Sequence, residues 1–214
     1  MKRAALLFVA SLTALAQAPP SISLPKPVTK GGMPLMQALA ERKSAREFAP
    51  TPLSTETLSN LLWAAYGINR PDGRRTAPSA SNRQTVDIYA VLPEGAYLYN
   101  SKEHRLDLVA EGNLRPLAGT QDFAATAPLN LIFVADYAKF ANASDQDKAW
   151  YTGAETGFVS QNVYLYCASE GLNTVVRASV DRAALGKALK LRPDQKIILA
   201  QTVGKPKAAA AASK

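Results

Sequence analysis

The spacing of apolar residues changes along this chain, and that change limits the folds that it can adopt. Over residues 85–92 apolar and polar positions alternate, as in a half-buried β-strand. After a Pro-Glu-Gly turn at 93–95, two more short strands are predicted over 96–100 and 106–108. Residues 129–135 are almost continuously apolar, which is typical of a central strand. Strands that first form a meander and then alternate with helices predict an α+β domain with a mixed central β-sheet flanked by helices.

Four helices are predicted around these strands, and residues 111–126 look helical but irregular. The first spans 34–42, and the second begins after the N-cap residue Ser54 and ends at Gly67. The longest is predicted over 152–170, and Asp181 is expected to cap a short helix near the end of the chain. Residues 137–150 are polar and uneven, and we expect a mobile segment there. The remaining strands are predicted over 173–176 and 196–203.

A first polar cluster comes at the end of the first helix and in the turn beyond it. It contains Arg42, Ser44 and Arg46. Because a guanidinium group grips phosphate oxygens in a planar bidentate fork, this cluster indicates a bound phosphate. The alternative is that the arginines are ordinary exposed charges at a helix end, where cations interact favourably with the helix dipole.

A second polar cluster lies just before the strand that starts at Thr85. It contains Pro78, Ser79, Asn82 and Gln84, in a loop dense in Arg, Pro, Ser and Asn. An amide side chain offers both a donor and an acceptor, which suits the edge of a heterocycle. Together the two clusters indicate a nucleotide-like cofactor. The alternative for the second cluster is an Asn-centred turn before a strand.

In this order the two clusters resemble the nitroreductase family of flavoproteins, whose chains carry R-x-S-x-R-x-F-like and P-S-x-x-N-x-Q-like stretches. Gln161-Asn162 in the long helix, the strand region 171–176 and the closing segment 203–207 each stand where the family has a counterpart. The resemblance spans about residues 35–207. The short length of the chain and the arrangement of its motifs look nearest to the SagB-type dehydrogenase branch.

The resemblance implies FMN as the cofactor, held at two sites on the subunit boundary of an intertwined homodimer. The first cluster and the chain end would hold the phosphate and ribityl region, and the second cluster would face the isoalloxazine edge or the ribityl hydroxyls. A main-chain N–H near Ala178 would reach flavin N5. The residues assigned to FMN in this way are Arg42, Ser44, Arg46, Pro78, Ser79, Asn82, Gln84, Ala178, Ser179, Lys205 and Lys207.

The function expected from the resemblance is a flavin-dependent oxidoreductase that transfers hydride to or from a small organic substrate. The alternative is a non-catalytic flavin- or ligand-binding protein on the same scaffold. No Ser/His/Asp set, Walker motif or G-x-G-x-x-G is present, but the flavin supplies the chemistry in such enzymes, so titratable side chains are not required. No catalytic side chain is identified.

Single cysteine and histidine residues limit the metal chemistry. Cys167, in a helical pattern, is expected to be a buried structural thiol, and His104 is expected to be solvated in a turn. Neither a thiolate site nor a histidine-rich metal site is predicted. The positive charge is scattered, which argues against a nucleic-acid partner.

The N-terminus has the layout of a secretory signal peptide: a basic start, an apolar stretch over 4–16, and small residues suited to cleavage after Ala16 or Ala18. The alternative is an uncleaved anchor, although the stretch is shorter than the roughly 20 residues that span a bilayer. We therefore expect a periplasmic or secreted protein with a signal peptide at 1–18, an FMN-binding domain at 19–207 and a flexible tail at 208–214. Residues 17–33 are expected to form an extended arm that wraps a neighbour.

Overall fold

The structure, a computed structural model, describes residues 21–208; the predicted signal peptide and all of the predicted tail except Ala208 lie outside the described residues. Its strands are β1 Ser21–Ser23, β2 Val86–Val91, β3 Gly95–Asn100, β4 Arg105–Glu111, β5 Leu129–Asp136, β6 Asn173–Arg177 and β7 Gln195–Gly204. Its helices are α1 Leu35–Glu41, α2 Thr55–Tyr66, α3 Asp122–Thr126, α4 Asp145–Ser169 and α5 Arg182–Ala188.

The seven strands form one sheet in the order β1-β4-β3-β2-β5-β7-β6. The predicted α+β class and the β2-β3-β4 meander are confirmed. The sheet differs from the expected mixture of strand directions, because every neighbouring pair is antiparallel. Strands β5 and β6 do run in the same direction, but β7 lies between them and is antiparallel to both.

Strand β5 is buried along its whole length because both faces of the sheet are covered. Successive side chains of a strand point to opposite faces, so Leu131 and Phe133 pack with α2 and α4, whereas Ile132 and Val134 pack with Leu185 on α5 and its surroundings. Burial of each such side chain contributes about 1.5–3 kcal/mol. The sheet therefore fixes α4 on one face, and the residues that pack around α4 are considered below.

Helix α4 is longer than the sequence predicted. Ser144 caps it by accepting a hydrogen bond from the Asp147 backbone N–H at 3.1 Å, and Asp145 and Asp147 in the first turn suit the positive end of the helix dipole. Residues 145–150, which were expected to belong to a mobile polar segment over 137–150, therefore form the first turns of α4. The caps predicted at Ser54 and Asp181 are confirmed.

Within the described residues, the N-terminal arm makes contacts with its own subunit. Strand β1 pairs with β4, and the Val28 backbone N–H donates to Asn60 Oδ1 at 2.8 Å. His104 lies under this arm and is half-buried, so the expectation that it is solvated is wrong. Its Nε2 and Nδ1 lie 2.7 Å from Ser59 Oγ and 3.0 Å from Tyr99 Oη.

Cys167 is fully buried on α4, as predicted, and burial raises the pKa of its thiol. Over residues 21–208, none of the helices combines the length and the apolar character needed to cross a membrane.

Candidate functional site

The residues of the first cluster meet the end of the chain at one edge of the molecule. The Ala45 backbone N–H donates to the Thr174 carbonyl at 3.0 Å, at the start of β6. The Ala49 backbone N–H donates to the Lys205 carbonyl at 2.9 Å. The segment after α1 is therefore hydrogen-bonded both to β6 and to the residues that follow β7. We call the resulting set the cationic edge: Arg42, Ser44, Arg46, Lys205 and Lys207.

The cations of the cationic edge lie apart from the ion pairs of the described residues. Within residues 21–208, none of its four cations forms an ion pair with a carboxylate. Arg46, Lys205 and Lys207 are exposed, and Arg42 is half-buried. Several unpaired cations beside a hydroxyl form the donor set that a dianionic phosphate requires. The chemistry of this edge therefore fits the phosphate end of a nucleotide-like cofactor.

Tyr164 holds the cationic edge in place, and sequence reasoning gave it no role. The guanidinium carbon of Arg42 lies 5.2 Å from the centre of its ring. Its hydroxyl lies 2.7 Å from Ser44 Oγ and accepts the Val176 backbone N–H at 3.0 Å. Tyr164 is almost fully buried on α4, so these contacts link the edge to the sheet through a rigid helix.

Two main-chain N–H groups follow β6 directly, shortly after Val176, whose own N–H donates to Tyr164. Ala178 and Ser179 are both exposed, and within the described part of the chain neither of their backbone N–H groups donates a hydrogen bond to another protein atom. Their carbonyls are used instead, since Ala178 accepts from Val180 and Ser179 accepts from the Thr120 N–H at 3.2 Å. Two exposed residues, two and three positions beyond Val176, thus have N–H groups without an acceptor among residues 21–208. This geometry fits a hydrogen bond to a heterocycle nitrogen.

Arg177 lies immediately before these donors and is buried. It donates to Asn130 Oδ1 at 2.5 Å, to Thr202 Oγ1 at 2.9 Å and to the carbonyl of Ala118. Burial lowers the pKa of Arg177 to about 10. These contacts fix the end of β6, from which the exposed donors extend.

The second cluster forms a separate polar loop, which we define as Pro78, Ser79, Asn82 and Gln84. Ser79 Oγ accepts the Gln84 backbone N–H at 2.7 Å and donates to Glu155 Oε2 at 2.9 Å. Ser81, Asn82 and Gln84 have φ angles of 53°, 54° and 52°, a conformation that is uncommon for residues other than glycine. Such backbone strain persists where surrounding contacts fix it, and it concentrates at functional sites.

Glu155 is the buried anchor of the polar loop, and sequence reasoning missed it. Its carboxylate accepts hydrogen bonds from Ser79, from Thr85 Oγ1 at 2.7 Å and from the hydroxyl of Tyr66. Burial and this neighbouring carboxylate raise the pKa of Tyr66. The sequence did hold a signal for Glu155, because it is an acidic residue within the apolar stripe of a long helix. An acidic side chain is seldom buried without hydrogen-bond partners, so its position indicated that such partners exist.

The cationic edge and the polar loop contact α4 at different positions along its axis. Tyr164 holds the edge and Glu155 holds the loop, and nine residues of α-helix correspond to about 14 Å. Within one subunit Tyr164 connects Arg42 and Ser44 with Val176, near the end of β6. Lys205 lies at the start of β6, because Asn173 pairs with Gly204, whereas the donors follow the other end of this strand. The polar loop lies nearer to the N-terminal end of α4.

Comparison with known protein families gives a clear match. The family model described as "Nitroreductase family" matches residues 39–205. A protein of Methanocaldococcus jannaschii described as "Putative nitroreductase" is 36% identical over 151 residues, which cover 66% of this chain and 76% of that protein.

Solved structures give a similar result. A crystal structure described as a "putative nitroreductase" from Ralstonia eutropha JMP134 shares 40% sequence identity and a TM-score of 0.84, covering 95% of this chain and all of that one. The NADPH:FMN oxidoreductase from Vibrio harveyi, solved with NAD+, has the same fold, with a TM-score of 0.61 at 20% identity. That match covers 81% of this chain and 69% of the Vibrio chain.

Proposed function

The chain belongs to the nitroreductase family of flavin-dependent oxidoreductases, and from this premise we propose that it binds FMN and acts on a small organic substrate. The observation that carries the proposal is the cationic edge. There the segment after α1 is hydrogen-bonded to β6 and to Lys205, and no carboxylate within residues 21–208 pairs with the four cations. The bound flavin would supply hydride transfer, and the protein would supply binding and orientation.

The cationic edge, the N–H groups after β6 and the polar loop have distinct roles in this proposal. The cationic edge binds the phosphate, and Tyr164 keeps Arg42 and Ser44 oriented toward it. The outward N–H groups of Ala178 and Ser179 donate to the flavin ring. The polar loop presents hydroxyl and amide groups to the ring edge or the ribityl chain, and Glu155 fixes that loop.

A homodimer with FMN at the subunit boundary would account for the separation of the polar loop and the cationic edge along the axis of α4. In a dimer the loop of one subunit can reach the edge of its partner. An apolar exposed surface supports this assembly: Trp150 and Phe158 on α4 are 68% and 48% exposed, and Met36 on α1 is 75% exposed. Exposed aromatic and aliphatic groups of this size mark interaction surfaces.

We also infer export, because residues 1–18 have the layout of a signal peptide. Mass spectrometry of the protein purified from a cell-envelope fraction tests this inference. A mature N-terminus at Gln17 or Pro19 would support it, and an intact Met1 in the cytoplasmic fraction would contradict it.

The visible spectrum of the protein, purified from cells grown with excess riboflavin, tests the proposed function most directly. We expect flavin absorbance that bleaches when a reductant is added and returns when an electron acceptor is added. A flavin colour that bleaches but is not restored by any acceptor would favour the non-catalytic flavin-binding alternative. Absence of flavin absorbance after reconstitution with FMN would contradict both.

A further inference from the structure

The loop between α2 and β2 carries positive charge that the flavin site does not account for. Residues 69–83 contain four arginines and one acid. Three of the arginines, Arg70, Arg74 and Arg75, line a cavity of about 500 Å³. The same cavity is lined by Pro78, Ser79 and Asn82, which belong to the polar loop. The arginines therefore lie next to residues that we assign to the flavin.

These arginines are only partly neutralised. Arg74 pairs with Asp72 at 2.8 Å on the surface. Arg70 donates to Asn69 Oδ1 and to the Arg75 carbonyl, both at 3.1 Å, and both acceptors are uncharged. Within residues 21–208, neither Arg70 nor Arg75 forms an ion pair with a carboxylate. The cavity thus has a net positive lining.

The geometry of Arg75 shows that this lining is preformed. Its Nε donates to Gln84 Oε1 at 2.8 Å, and its guanidinium carbon lies 4.4 Å from the centre of the Tyr66 ring. Gln84 in turn donates to the Gly73 carbonyl at 3.0 Å. Arg75 Nη1 also donates to the Tyr66 carbonyl at 3.1 Å. A guanidinium group stacked on an aromatic ring and bonded through two of its nitrogens keeps its direction and can present its remaining N–H groups to a ligand.

We propose that Arg70, Arg74 and Arg75 form an anion subsite that binds the carboxylate or phosphate group of the second substrate. The inference rests on the proposed function, because Pro78, Ser79 and Asn82 join this cavity to the flavin. The guanidinium forks hold the oxygens of the anion, and the uncharged part of the substrate extends over the polar loop toward the ring. The substrate class is a small organic acid, with its reacting group at the end opposite the anion.

Two nitroaromatic probes that differ in charge test this subsite by binding alone. 4-Nitrobenzoate carries the carboxylate, and its methyl ester has the same ring without the charge. We expect calorimetric titration of the FMN-loaded protein to give a dissociation constant at least about tenfold lower for the acid than for the ester, which corresponds to about 1.4 kcal/mol. Equal constants for the acid and the ester would overturn the proposal.

The variant Arg70→Gln/Arg74→Gln is expected to remove most of this preference. Both side chains are exposed and the Arg74–Asp72 pair is a surface pair, so the fold should persist, which a melting curve checks. Lys187→Gln/Lys196→Gln removes the same charge from exposed positions on α5 and β7 and should keep the preference. A preference that survives in the arginine variant, or falls equally in the lysine variant, contradicts the subsite.

Failure of the subsite and failure of the proposed function are distinguishable. If the wild-type protein binds no FMN, the proposed function fails, and the same titrations on the flavin-free protein still decide whether the loop binds the anion. If the arginine variant weakens FMN binding as much as Arg42→Ala does, these arginines hold the cofactor phosphate and the subsite is wrong. If FMN binding is normal but the acid has no advantage, only the subsite fails.

Discussion

Arg42 and Arg83 carry the same charge in different surroundings, which makes them a matched pair. Arg42 lies over Tyr164 beside Ser44, within the cationic edge. Arg83 is exposed, and its guanidinium carbon lies 5.5 Å from the centre of the Phe140 ring. Within residues 21–208 its side chain donates one hydrogen bond, to the Ala80 carbonyl at 3.4 Å, and it lies outside the cationic edge. Because hydrogen bonds to charged groups contribute about 1.5–3 kcal/mol, we expect Arg42→Ala to raise the dissociation constant of FMN at least tenfold.

Fluorescence titration of flavin-free protein with FMN measures this difference. Arg83→Ala should leave the dissociation constant close to that of the wild-type protein. Equal constants for the two variants, with unchanged melting temperatures, would mean that the phosphate does not bind at the cationic edge.

Glu155 is the residue whose replacement tests how the polar loop is held. Its two carboxylate oxygens accept three hydroxyl groups, and Glu155→Gln replaces one oxygen with an NH₂ group that cannot accept. A buried polar group left without a partner costs about 1–3 kcal/mol, so we expect the free energy of unfolding to fall by about that amount. Urea denaturation gives the value.

Glu170 offers the control for this change, because it is exposed at the C-terminal end of the same helix. Glu170→Gln removes the same charge and should leave the free energy of unfolding nearly unchanged. If the two substitutions have equal effects, the hydrogen bonds of Glu155 do not hold the loop.

At the scale of elements, His104 joins the N-terminal arm to the sheet and makes that junction sensitive to pH. Ser59 Oγ lies 2.7 Å from His104 Nε2 and donates to the Pro25 carbonyl at 2.5 Å, so one hydroxyl connects the arm, α2 and the turn between β3 and β4. Burial lowers the pKa of His104 below its usual value of 6.5. The neutral form is therefore favoured in the folded protein.

The sign of the pH dependence follows from this lowered pKa. The contribution of His104 to stability is fully present above pH 6.5 and is lost as the pH falls from 6.5 through the lower pKa of the folded state. Urea denaturation from about pH 7.5 to about pH 5 should show a steeper loss of stability in the wild type than in His104→Asn. Asparagine tolerates the φ of 46° at this position and does not titrate. Parallel curves would contradict this assignment.

At the scale of the whole molecule, the sequence predicted what depends on local spacing. The β2-β3-β4 meander, the buried strand β5 and the helix caps at Ser54 and Asp181 follow from residues close together in the chain. The first turns of α4 were missed because residues 145–150 have no apolar stripe. The roles of Tyr164 and Glu155 depend on Ser44 and Ser79, which are 120 and 76 residues away, and local patterns hold no information about such pairs.

The proposed homodimer would bring together the separate parts of the proposed site. Phe158 is half exposed on α4, next to Gly157, where a Cβ atom would meet nothing within 4 Å in the isolated subunit. A small residue beside an exposed aromatic ring allows another surface to approach closely. Phe158→Glu would place a charge in that interface, and burial of an unpaired charge costs several kcal/mol. We therefore expect the wild type to sediment as a dimer and Phe158→Glu as a monomer.

Ala183→Glu is the matched control, because it adds the same charge at an exposed position on α5, which covers the opposite face of the sheet. It should sediment like the wild type. If FMN binds across the subunit boundary, the monomeric Phe158→Glu variant must also lose FMN affinity, since the polar loop would no longer reach the cationic edge of a partner. A folded monomer with full FMN affinity would instead place the whole site within one subunit, and a Phe158→Glu variant that remains dimeric would show that α4 does not form the interface.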